Sequence, residues 1–244
     1  MYILILVEFI TLAVAQSPEF LELSTSYDYH AKIGIPLATK IKHAEQNICS
    51  CADWRTWVGN KSGIDISDVP YQVGLVLPLD DENSFCVGSL ISSTLVLTAA
   101  HCLDDGVLEP RNSFTVVLGS DTIFSGGHRQ EDTQLIMHSY WSSPYLENDI
   151  GIIRINHVSF SDVIQPIELP FNNEVLQGYD AIASGWGQLY TPNFPGGKSL
   201  WAFSRRIIST TKCQRFMRTS IRDHIDNLHK CGRDPRKPCQ RMFR

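Results

Sequence analysis

Phe85-Cys86-Val87-Gly88-Ser89-Leu90-Ile91, running on to Leu97-Thr98-Ala99-Ala100-His101-Cys102, decides how this chain is read. Two apolar runs flank a turn. Residues 88–92 and 94–98 read as paired buried strands, because short apolar runs bounded by turn residues suit strands covered by a core. Cys86 and Cys102 stand at the outer ends of this hairpin-like unit, where a disulfide between them could fix the turn that carries His101. A histidine just past a buried strand and beside a structural cysteine is held rigidly, as a general base must be.

Outward from that unit the same rhythm continues. Short apolar runs alternate with turns at 72–77, 89–91, 95–98, 113–118, 134–138 and 150–155. This spacing predicts an all-β barrel or sandwich. The last run lies in Leu146-Glu147-Asn148-Asp149-Ile150-Gly151-Ile152-Ile153-Arg154-Ile155, where an acid opens an apolar strand and will be largely buried. A buried carboxylate needs a partner. An imidazole N–H supplies one and is itself oriented by the contact. Upstream, Pro36 suits a first helical turn, and Leu37, Ile41 and Ala44 recur at helical spacing, which predicts a short amphipathic helix at 36–46.

Composition narrows the setting. The chain is 43% hydrophobic and 19% charged, which is globular, and its 244 residues suffice for a sizeable core. Residues 1–15 are largely apolar and end in Ala13-Val14-Ala15, a signal-peptide cleavage signature that predicts a secreted, extracellular protein. The stretch is too short to span a bilayer, so no membrane partner is expected. Seven cysteines in an exported chain imply disulfides with one thiol left over. Asn60-Lys61-Ser62 is an N-glycosylation sequon at Asn60. The net charge of −5 hides an asymmetry: residues 1–197 hold 8 Lys/Arg against 23 Asp/Glu, and residues 198–244 hold 13 against 3. A basic tail suits nucleic acid, but export puts it in the wrong compartment, so no nucleic-acid partner is expected. His224, His229, Cys231 and Cys239 have metal-ligand chemistry without a standard ligand spacing, so no metal or cofactor is expected. His30, His43, His128, His138 and His157 lack a second motif and read as surface or loop residues.

Three separated motifs agree in order. Thr98-Ala99-Ala100-His101-Cys102 follows Cys86-Val87-Gly88-Ser89-Leu90-Ile91-Ser92, Asp149 opens its strand 48 residues after His101, and Ala183-Ser184-Gly185-Trp186-Gly187 comes later. Together they closely resemble the trypsin/chymotrypsin (S1) family of serine endopeptidases, of the secreted arthropod digestive type. The resemblance implies a chymotrypsin-like double antiparallel β-barrel. It implies His101 as the general base and Asp149 as its orienter, protein or peptide substrates, and a monomer. It also implies a disulfide between Cys213 and Cys231, a pro-segment at 16–57 and a peptidase domain at 58–244. Cleavage in this family follows a basic residue. Here the register makes Val58 the new terminus although Trp57 precedes it, with Arg55 nearby.

The pattern then breaks. The family continues Cys-x-Gly-Asp-Ser-Gly-Gly-Pro, and this chain reads Cys239-Gln240-Arg241-Met242-Phe243-Arg244. By the resemblance Arg241 takes the place of the oxyanion-hole glycine, Met242 that of the aspartate receiving the activation amine, and Phe243 that of the nucleophilic serine. Lys237 falls at the base of the primary specificity pocket. The expected second barrel is therefore incomplete at the C-terminus. The expectation is a serine-endopeptidase family member that keeps His and Asp without the nucleophile and is inactive as written. The alternative is a non-catalytic pseudoprotease that binds peptides or proteases as a regulator.

Overall fold

Alternation with period two builds the first sheet. The computed structural model of the chain describes residues 26–46, 62–108, 114–131, 133–143, 147–169, 177–186, 200–216, 230–233 and 240–243. The expected signal peptide, the region around Arg55, Trp57 and Val58, and Asn60, Cys49, Cys51, His224, His229, Lys237 and Cys239 lie outside the described residues. Strands β1 (Ser62–Gly63), β2 (Gln72–Pro78), β3 (Asn83–Ser92), β4 (Leu95–Thr98), β5 (Thr115–Leu118), β6 (His128–Gln130), β7 (Gln134–Met137) and β8 (Gly151–Arg154) precede β9 (Asp180–Gly185), β10 (Trp201–Ile208), β11 (Lys230–Arg233) and β12 (Gln240–Phe243). Seven of them form one antiparallel sheet in the order β6-β5-β2-β3-β4-β8-β7. Along β2, Val73, Leu75 and Leu77 point into an inner cluster with Cys86, Leu90, Val116 and Ile153. Val76 points the other way and joins Phe85, Val117 and Ile123 in an outer cluster. Both faces of this strand are therefore covered, and only its terminal Pro78 is exposed.

Residues 88–92 and 94–98 do pair, with Ser89 opposite Leu97 and Leu90 opposite Val96, and a bulge before Ser92 turns the chain. β6 carries no apolar alternation and so left no signal in the sequence, yet it pairs with β5 at the sheet edge.

The second sheet has five strands. β10 carries β9 along one edge and β1 and β11 at the two ends of the other, and β12 pairs with β11. The two sheets make a chymotrypsin-like double β-barrel whose second barrel is incomplete among the described residues. They are joined by side chains: Ser184 Oγ donates to Gln72 Oε1 at 2.6 Å and Trp186 Nε1 to the Asp121 carbonyl at 2.6 Å. Trp186 also stands edge-on to Phe85, with ring centroids 6.2 Å apart. Cys213, in the short helix Thr210–Phe216, is fully buried and disulfide-bonded, and the backbone of Cys231 lies opposite Ile208.

Helix α1 (Ile35–Gln46) follows a π-helical turn at His30–Gly34. Its buried face is Ala38, Ile41 and Glu45, not the expected Leu37, Ile41 and Ala44. A carboxylate sits in the buried row because it finds partners there: Glu45 accepts from the amides of Ile123 at 2.6 Å and Phe124 at 2.9 Å. Ala38 and Ile41 enter the outer cluster beside Trp186 and Leu200. His30 also departs from its expected surface position. It is 3% exposed, with Nδ1 2.7 Å from Ser84 Oγ.

Candidate active site

Strand register brings His101 and Asp149 together. β4 and β8 run antiparallel with Thr98 opposite Gly151, so the turn after β4 lies against the residues that lead into β8. The first is a single 3-10 turn, Ala100–Cys102. The second bends at Asn148, whose φ of 56° is a left-handed conformation that asparagine tolerates better than most residues. The bend aims Asp149 at the turn. One carboxylate oxygen accepts from the His101 backbone N–H at 2.9 Å, and the other pairs with His101 Nδ1 at 2.9 Å. Asp149 thus fixes both the turn and the ring. With Nδ1–H committed to the carboxylate, Nε2 is the nitrogen free to accept a proton. Both side chains are largely buried, at 16% and 12% exposure.

Beneath the ring lies the Cys86–Cys102 disulfide, with Cα atoms 6.1 Å apart and Cys102 Sγ 3.7 Å from Nε2. Cys86, His101 and Cys102 place three ligand-type atoms within 4.8 Å of one another. Both sulfurs are bonded to each other, so neither is a thiolate ligand and the cluster is a brace, not a metal centre.

A residue that no sequence motif marks sits on the ring. Tyr29 packs on His101 with centroids 4.6 Å apart and planes tilted by 54°, and its Oη donates to the Phe85 carbonyl at 2.9 Å. Burial pushes the Tyr29 phenol well above its usual range, which keeps it a donor. Next to it, the His30 backbone N–H donates to Asp105 Oδ2 at 2.9 Å. The His30 ring is held on the other side, with Nδ1 2.7 Å from Ser84 Oγ. No motif announces these residues, because their partners lie 54 to 75 positions away.

His30 gives this contact a pH dependence. Burial lowers its pKa from 6.5; the nearby His101 lowers it further, whereas Asp105, the Cys102 carbonyl and Asp28 pull upward and lose. Lys32, 3.9 Å from Asp28, weakens that last pull. A group depressed in the folded state favours the fold when unprotonated. Its contribution is therefore complete above pH 6.5 and is lost as pH falls below 6.5 through the lowered value. Amide protection factors in α1, corrected for the intrinsic exchange rate at each pH, should fall on acidification across this window, and His30→Asn should flatten the dependence. An unchanged acid response in His30→Asn would assign it to another group.

The segment aligned with the nucleophile motif is a strand. Arg241 pairs with Cys231 and Phe243 with Lys230 in the β11–β12 ladder.

Comparison with known proteins agrees with this geometry. The family model described as Trypsin matches residues 58–239. Collagenase of Hypoderma lineatum is 40% identical over 126 residues, covering 50% of this chain and 46% of that protein. Chymotrypsin-2 of Vespa crabro is 35% identical over 146 residues, covering 59% and 63%. The solved structure of HL collagenase superposes with a TM-score of 0.60 at 32% identity, covering 72% of this chain and 73% of that one. The chain spans about half the length of the curated relatives it matches, between 46% and 63%. With the match running from residue 58 to residue 239, the chain belongs to the trypsin family.

Proposed function

We propose that this chain is a non-cleaving member of a secreted serine-endopeptidase lineage, keeping a general base in His101 and its orienter in Asp149 without the attacking serine. The observation that carries the reading is the register of β12. Arg241 and Phe243, which the resemblance aligns with the oxyanion-hole glycine and the nucleophile, are extended backbone paired to Cys231 and Lys230. Acyl transfer needs an Oγ in reach of the base and N–H donors turned toward one point. Phenylalanine has no Oγ, and a ladder strand sends alternate N–H groups to opposite sides. The trypsin match ending at Cys239 supports the same boundary.

The reaction class of the lineage is hydrolysis of protein or peptide substrates, and the base–orienter pair needs no metal or cofactor for it. Disulfide bonding at Cys86, Cys102 and Cys213 supports an oxidising, extracellular setting, and we read the chain as a monomer with residues 16–57 as a pro-segment. Asn60 is the proposed glycan site, and Cys231 the proposed partner of Cys213. Among the described residues no helix is long and apolar enough to cross a membrane.

A fluorophosphonate probe tests the proposal. The purified chain should stay unlabelled while a complete trypsin-family enzyme is labelled under the same conditions. Labelling at any serine that disappears in His101→Ala would refute it. A second reading, a regulator that holds peptides without cleaving them, draws support from Tyr29, because a peptide segment already sits against the imidazole. That reading expects a labelled peptide to be retained intact.

A further inference from the structure

We propose that the outer face of the first sheet is a peptide-docking groove, and that residues 26–46 of the same chain are its resident ligand, seated so as to close off His101. The inference goes beyond the function proposed above and holds whether or not the chain cleaves peptides.

The segment is tied at both ends. At the first, the Asp28 N–H donates to the Asp105 carbonyl at 3.0 Å and the His30 N–H to the Asp105 carboxylate at 2.9 Å. Asp105 is 1% exposed, and its other oxygen accepts from the amides of Val107 at 3.1 Å and Leu108 at 2.9 Å, so its own loop already holds the acceptor in place. At the far end the Glu45 carboxylate, in a residue 7% exposed, takes the amides of Ile123 and Phe124. Between the ties Ala38 and Ile41 are buried against the cluster of Val76, Phe85 and Val117. The backbone passes so close to β3 that a Cβ built on Gly34 would overlap Ser84 Oγ.

These contacts are those of a ligand in a site. The receptor contributes a buried acceptor, a pair of backbone donors and an apolar floor. The segment contributes two backbone donors, an aliphatic stripe and an acid. None of the polar ties joins residues closer than 54 positions in sequence. Hydrogen bonds of this kind can be exchanged for water or for another peptide's groups at modest net cost.

The seat has a consequence for His101. Tyr29 covers the imidazole at 4.6 Å and takes the Phe85 carbonyl, one residue from the Cys86 end of the disulfide. Any extended peptide approaching the ring along β3 meets that same carbonyl and that same ring face. It must displace Tyr29 first. A peptide with an aromatic–His pair, small and aliphatic residues three apart, and an acid four beyond would compete for the groove.

Diethyl pyrocarbonate footprinting of the full chain tests the mask. Carbethoxylation of His101 should be slow, and Tyr29→Ala should speed it about tenfold while leaving the exposed His157 unchanged. A His101 rate that Tyr29→Ala leaves unaltered overturns the mask. Should Tyr29→Ala fail to fold, the groove is tested on wild-type sequence. A protease site is inserted between Gln46 and Ser62 and cut, with every residue still present, and a fluorescent 26–46 peptide is added in excess. Saturable exchange is expected, with a Glu45→Ala peptide about tenfold weaker because two amides lose their acceptor. No saturable exchange, or equal binding of the two peptides, overturns the groove.

Discussion

Phe85→Ala is expected to destabilise the chain by about 3–5 kcal/mol. The ring is 2% exposed and lies where three parts of the molecule meet. It faces Ala38 and Ile41 of α1, shares its cluster with Val76 and Val117 of the first sheet, and stands edge-on to Trp186 of the second. Truncation removes the transfer free energy of the ring and leaves a cavity that β2 and β3 cannot readily close, since β2 is laddered on both sides and β3 is held to β2 at this position. The edge-to-face pair with Trp186 adds about 0.5–1.5 kcal/mol. The Phe85 carbonyl that holds Tyr29 is untouched, so the loss reports the ring. Denaturant titration measures it, with Phe85→Leu as the milder comparison at about 1.5 kcal/mol or less. A loss under about 1 kcal/mol for the alanine variant would mean that the ring is not packed between the sheets.

Loss of the Cys86–Cys102 bridge is expected to cost about 3 kcal/mol in a Cys86→Ala, Cys102→Ala chain. The bridge spans 16 residues, including the hairpin of β3 and β4 and the turn that carries His101. Without it the unfolded chain gains freedom, and the ring keeps the Asp149 bonds and the Tyr29 contact. Both effects are measurable. The denaturation midpoint should fall, and His101 should react faster with diethyl pyrocarbonate than in the bridged chain. A double variant as stable as the parent would show that the strand pairing alone sets this turn.

The parts of the fold legible in the sequence are those whose signal is local. Val73, Leu75 and Leu77 alternate along β2, and the apolar runs at β4 and β8 are bounded by turn residues, so strand type and approximate extent follow from period alone. His101 and Asp149 were legible through the motifs around them. The carboxylate–imidazole contact itself follows from Thr98 pairing with Gly151, a register no single-sequence pattern states. Glu45 was illegible for a physical reason. A glutamate in an amphipathic helix reads as a solvent-facing residue, and the amides of Ile123 and Phe124, 78 and 79 residues away, with the Ser125 hydroxyl, make the buried position favourable. Tyr29 and His30 were illegible for the same reason, since their partners belong to β3 and to the Asp105 loop. The resemblance makes the segment carrying them a pro-segment, and no sequence pattern states that residues 29, 30, 38 and 41 pack on the first sheet.

Hydrolysis of a mixed library of unstructured peptides, read as new termini by mass spectrometry, bears most directly on the account of a base and orienter without an attacker. It is run with the purified chain, with Tyr29→Ala to open the imidazole, and with His101→Ala as the control. No cleavage by the first two above the third is expected. New termini that vanish when His101 is replaced would contradict it.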